Sequence, residues 1–210
     1  MAITNNLYVI AAICGNFYQE STVNPGIWEN LTVGAPGYGL GQWTNNETTN
    51  RRTALFNYLH DNGFAIDSGE GQLEFLMYEH IWVPSLFVQS AYDTFYQFIA
   101  STSTNLYDLV QEFMFHWEGI NDGSFNTRYS WAQTFLALFQ NDSGTREPWT
   151  AGNFYLTEQQ TINNALLIKD FFTGETPPEP PEPPTPAPLP TKRKGLPPWL
   201  IYKLTKGDLL

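Results

Sequence analysis

Read for the spacing of its apolar positions, the chain up to about residue 172 is a succession of helical stretches separated by short polar breaks. Leu7 to about Glu20 is the most apolar of them, and Asn5 or Asn6 stands where a side-chain cap is needed. A second helix is predicted over Thr49–Asn62, with Leu55, Tyr58 and Leu59 on one face and Gly63 as its stop. Glu70–Ile81 follows, with Leu73, Leu76 and Met77 facing inward and Pro84 beyond its end. Ala91–Ala100 and Asn105–Trp117 are two more, the latter preceded by the candidate caps Ser103 and Thr104. Asn126–Gln140 carries Trp131, Phe135, Leu138 and Phe139. Thr157-Glu-Gln-Gln160 is a capping box that opens a last helix to about Phe172. Between the first and second helices, Asn24–Asn46 has no period but holds Gly26, Gly34, Gly37, Gly39 and Gly41. The pattern predicts a mainly α fold of seven helices with a small irregular or β lobe.

Proline divides the chain. Nine of the 15 prolines fall between Pro177 and Pro190. That run reads as an extended polyproline spacer, which at ~3.1 Å per residue spans roughly 40 Å. Three parts are expected: a folded domain over 1–174, a Pro-rich linker over 175–191, and a basic, then apolar, segment over 192–210.

Composition sharpens this. Aromatic residues make up 16% of the chain, so the domain must bury rings, and a disordered chain is excluded. A single cysteine excludes an internal disulfide framework, and three scattered histidines carry no zinc signature. No cofactor is expected. There is no apolar run of 18 residues, so no membrane insertion is expected. Leu7–Cys14 could imitate a secretory signal. However, no Lys or Arg precedes it, and Asn16, Gln19 and Glu20 continue the same helical pattern. It reads as a buried helix of a protein made in a cytoplasm, with Cys14 in the core. His60, His80 and His116 read as helix-end or satisfied polar residues.

Charge is uneven. Residues 1–172 hold five basic and 17 acidic side chains, whereas 192–210 hold five basic and one acidic. The acidic domain repels nucleic-acid phosphates and anionic wall polymers, so no nucleic-acid partner is expected. If it works on a wall, something other than electrostatic steering must deliver it. Trp199, Leu200, Ile201, Tyr202 and Leu204 favour reading the last segment as a docking peptide for a larger assembly, where tethering would supply the local concentration; contact with an anionic membrane and a disordered end are the alternatives.

Two stretches carry candidate chemistry. Gln19-Glu20-Ser21 ends the first helix, where the negative end of the helix dipole and aromatic surroundings both favour a protonated carboxyl. Such a group can act as a general acid. Gly34-Ala-Pro-Gly-Tyr-Gly-Leu-Gly-Gln42-Trp43 offers close backbone approach, the amide of Gln42, and the rings of Tyr38 and Trp43 as stacking surfaces for sugar. It lacks the lysine of a phosphate loop. In order and spacing, QES…NPG…GYGLGQW resembles the lysozyme-like superfamily, including goose-type lysozymes and lytic transglycosylases. With GLGQWTNNETTNRRTALFNYLHDNG, QLEFLMYEH and FMFHWEGINDGSFNTRYSWA, the chain over about 7–172 resembles the phage tail lysozyme family.

The resemblance implies a lysozyme-like fold and cleavage of peptidoglycan glycan strands, with Glu20 as catalytic acid/base and a cleft around Tyr38, Gln42 and Trp43. Glu118 either lines the cleft or pairs with Arg128, and the structural role is favoured. Arg51, Arg52 and Arg128 are expected as partners of buried carboxylates. A second carboxylate, if used, is Glu29, Glu47, Glu118 or Asp122. Hydrolysis and a single-acid lytic transglycosylase reaction both remain open. The implied location is the virion, on the phage tail, with residues 192–210 gripping tail proteins and the enzyme opening the wall for genome entry. The alternatives are a tail component with little activity, and an endolysin released at host lysis.

Overall fold

A computed structural model describes residues 2–85, 88–142 and 145–175. The expected linker beyond residue 175 and the docking segment lie outside the described residues. Seven α-helices are present among them: α1 (Leu7–Ser21), α2 (Arg51–Asp61), α3 (Gly69–Glu79), α4 (Phe95–Ile99), α5 (Leu106–Phe113), α6 (Phe125–Gln140) and α7 (Glu158–Thr173). The glycine-rich stretch forms a 3₁₀ turn at Glu29–Leu31 and a two-stranded antiparallel sheet, β1 (Gly37–Tyr38) and β2 (Trp43–Thr44), with Gly37 opposite Thr44 and Tyr38 opposite Trp43.

α1 is the axis. Val9 to Cys14 and Phe17 are fully buried, so this helix is apolar all round and is enclosed by α5, α6 and α7. Its start is fixed by Asn6, whose Oδ1 accepts from the Tyr8 amide at 3.0 Å while Nδ2 donates to the carbonyls of Ser101 and Ser103 at 2.7 and 2.9 Å. One cap thus also clips α1 to the connection between α4 and α5. α6 crosses α1 where Gly15 leaves room: a Cβ there would lie 2.4 Å from the Arg128 carbonyl oxygen and 2.7 Å from the Ala132 Cβ. That approach brings Arg128 against the last turns of α1.

The structure departs from the periodicity in three places. α4 is only Phe95–Ile99, capped by Thr94, because the carboxylate of Glu112 on α5 holds the Ala91 amide (2.8 Å) and the Ser90 hydroxyl (2.6 Å) outside any helix. α3 starts one residue early behind Ser68 and ends at Glu79, where His80 turns left-handed at φ 36°. The expected helix to Trp117 stops as α-helix at Phe113, and residues Met114–Glu118 widen into a π turn closed by left-handed Gly119. Asn105, rather than Ser103 or Thr104, caps α5. The capping box at Thr157 is formed in full. No helix among the described residues is long and apolar enough to cross a membrane.

Candidate active site

The end of α1, the glycine-rich lobe, the start of α2 and the π turn enclose a cavity of about 550 Å³. Its wall includes Glu20, Glu29, Gln42, Arg51, Glu118 and Tyr155. The other described cavity, about 450 Å³ around Trp82 and His116, holds none of the expected site residues.

Glu20 sits in the last turn of α1 and is 18% exposed at its side chain. Its Oε1 accepts a hydrogen bond from Nη2 of Arg128, whose own side chain is fully buried. Arg128 is itself held in place: Nε donates to Ser124 Oγ at 2.9 Å and Nη1 to Asn16 Oδ1 at 3.0 Å. Asn16 lies one helical turn before Glu20, so the guanidinium bridges two residues on one face of α1. Burial raises the Glu20 pKa above its ordinary value; the Arg128 charge and hydrogen bond pull the other way, and the negative charges of Asp122 and Glu29 push up again. The net direction is upward. Because Oε1 is committed to Arg128, a proton on this carboxyl belongs on Oε2.

Glu118 is delivered by the π turn, a distortion that often re-aims side chains at sites. It lines the cavity and, contrary to the favoured expectation, makes no ion pair with Arg128; that guanidinium is taken by Glu20, Asn16 and Ser124. Glu118 Oε1 is buried with no hydrogen-bond partner among the described residues. Burial raises its pKa well above the usual carboxyl range, the charge of Glu20 adds to this, and Arg128 and Arg51 oppose it. Asp122 behaves in the opposite way: burial pushes it up, but hydrogen bonds from Ser124 and the charge of Arg128 prevail and hold it low. Of the four candidate second carboxylates, Glu29 and Glu118 line the cavity, and Glu47 and Asp122 do not.

The glycine-rich motif builds the wall differently from expectation. Gln42 lines the cavity at φ 44°, with Nε2 donating to the Gly39 carbonyl at 3.1 Å. Tyr38 and Trp43 do not offer stacking surfaces. Tyr38 is buried against Trp28 and Phe56. Trp43 is 0% exposed, packed edge-on against Phe75 and Trp117, with Nε1 donating to Glu79 Oε2 at 3.0 Å. Both rings support the wall from behind. Gly41 explains the seating: a Cβ there would come within 2.3 Å of Trp117 Cη2, so the loop lies flat on the residue that precedes Glu118.

The three arginines divide. Arg51 forks Glu79 through Nε and Nη2 at 2.7 and 2.8 Å and lies 4.6 Å above the Trp117 ring, as a structural partner of a buried carboxylate should. Arg128 pairs with Glu20, the proposed catalytic group itself. Arg52 pairs with no carboxylate among the described residues; it donates to the carbonyls of Gly34, Ala35 and Pro36 and covers the Trp28 ring at 5.3 Å.

Sequence reasoning missed Gln72, Glu79 and Tyr155. Buried Gln72 ties the lobe to α3 by accepting from the Leu40 amide at 2.9 Å and donating to the carbonyls of Pro25 (2.7 Å) and Ile66 (2.8 Å). The only signal for it was a polar residue on the apolar face of α3. Among the described residues, the one group of acids close enough to suggest a cation, Asp142, Asp170 and Glu175, lies elsewhere. It already faces Arg146 and Lys169, so charge balance there needs no metal.

Residues 6–139 match the family model described as phage tail lysozyme. Over 72 residues the chain is 39% identical to a protein of Bacillus phage B103 named morphogenesis protein 1, a stretch that is 33% of this chain and 18% of that protein. The chain therefore spans less than a fifth of that relative's length.

Proposed function

The chain belongs to the phage tail lysozyme family, and from that premise we propose that its cleft cleaves the glycan backbone of peptidoglycan with Glu20 as the general acid. The observation that carries this is a cavity-lining carboxyl whose pKa is raised by burial even with an arginine bound to it. The proton rests on Oε2 and passes to the glycosidic oxygen as the bond breaks, while Arg128 fixes the carboxyl and stabilises the anion that forms. Two routes complete the reaction. Water attacks the anomeric carbon that the departing sugar leaves behind, helped by an ionised second carboxylate; Glu29 and Glu118 both line the cavity, and burial favours the protonated form of Glu118. Alternatively the ionised Glu20 takes the proton of the sugar's own 6-hydroxyl and an anhydro sugar results.

Cell-wall zymography of wild type against Glu20→Gln tests the assignment. Clearing by wild type and its loss in the variant is expected; equal clearing by both removes Glu20 from its role. Product masses separate the routes, since the anhydro sugar is lighter by one water. In the same reading the enzyme rides on the virion tail, held there through residues 192–210, and opens the wall locally for genome entry.

A further inference from the structure

Tyr155 lines the same cavity as Glu20, yet it lies beyond the stretch matched to the family, which ends at residue 139. It is 62% exposed, one of five aromatic residues left open among the described residues. The segment carrying it has no helix or strand of its own but is fastened to the cleft loop at many points. Asn24, fully buried, donates through Nδ2 to the carbonyls of Gly152 and Phe154 and accepts from the Gly152 amide at 3.3 Å. Asn153 accepts from the Trp28 amide at 3.0 Å and donates to the Leu31 carbonyl at 2.9 Å. The Leu156 amide donates to Thr22 Oγ1 at 3.2 Å. A strap so fixed has its backbone ordered before any ligand arrives, which lowers the ordering cost of binding.

We propose that residues 151–156 are an added wall of the cleft, and that Tyr155 forms a stacking subsite for a pyranose ring of the glycan strand away from the bond being cleaved. The chemistry of the cavity favours this ligand. Its wall holds one arginine, Arg51, and that charge is neutralised by Glu79. Charge therefore cannot attract an anionic polymer here, and affinity must come from contacts indifferent to charge. A ring stacked on the apolar face of a neutral amino sugar is such a contact.

This rests on the reading of the cleft as a glycan site, so the test is built on binding rather than on turnover. Full-length Glu20→Gln is sedimented with insoluble peptidoglycan sacculi, alongside Glu20→Gln carrying Tyr155→Ala and Glu20→Gln carrying Tyr155→Trp. The expected result is a roughly three- to tenfold weaker apparent Kd for the alanine variant, the range for one aromatic contact. The tryptophan variant binds as the parent does, and the melting temperature is unchanged in all three. Equal binding by the alanine variant overturns the inference, as does equal loss in the tryptophan variant or no binding by the parent. Sacculi that are bound in this Tyr155-dependent way but never cleaved by wild type would sink the enzyme reading and leave the subsite standing.

Discussion

The carboxyl at position 20, the proposed general acid, is pulled two ways. Burial holds the proton on, and Arg128 draws it off. The sequence singled out Glu20, whose side chain lines the cavity, through the resemblance of its QES…GYGLGQW order to the lysozyme-like superfamily. It did not make Arg128 legible as the partner, since nothing in the spacing of α1 and α6 says which face of each meets the other. Nor could it distinguish rings that touch ligand from rings that support a wall; Tyr38 and Trp43 sit in the right motif but point into the core. Glu118 provides a prediction at this scale. Its folded-state pKa is raised, so it costs stability once the pH exceeds the unfolded-state value of about 4.3, and the cost vanishes below it. Glu118→Gln is expected to raise Tm at pH 7 by roughly 2–4 °C, the response of a domain this size to ~1 kcal/mol, and to change nothing at pH 3.5. A calorimetric scan at the two pH values checks it; a lower Tm at pH 7 would show that the charged form is satisfied in the fold.

At the scale of elements, the helices were readable wherever periodicity and a cap agreed, as in α1 and α7. They were misread where a tertiary contact overruled local preference. Glu112 keeps Ser90 and Ala91 out of α4, and the π turn after Phe113 has no local signature at all. The crossing of α1 over α6 is the joint on which the site depends. Gly15→Ala forces a methyl against the Arg128 carbonyl and the Ala132 side chain. Such overpacking should cost about 1–3 kcal/mol in urea unfolding. It should also reduce wall clearing further than the stability loss explains, because Arg128 moves off Glu20. Unfolding unchanged within error would mean that the helices do not meet as closely as described.

For the whole molecule, the acidic domain and the basic segment after the prolines set opposite tasks. The domain, with 17 acidic against five basic residues up to position 172, gains nothing from electrostatic steering to an anionic wall. In the proposed reading, delivery falls to the basic and apolar residues 192–210. Removing residues 176–210 is expected to leave the Tm of the domain and its clearing of isolated walls within error of the full chain, while the protein disappears from purified particles. Retention on the particle would move the docking role into the domain.

The account stands or falls on the protonation of one carboxyl, and carbon-13 NMR titration of the Glu20 side chain measures it directly. The midpoint is expected above the roughly 4.3 of a free glutamate, and higher still in Arg128→Met, where the opposing charge is gone. A midpoint at or below that value in the wild-type protein, with Arg128 holding the carboxyl ionised, would contradict it.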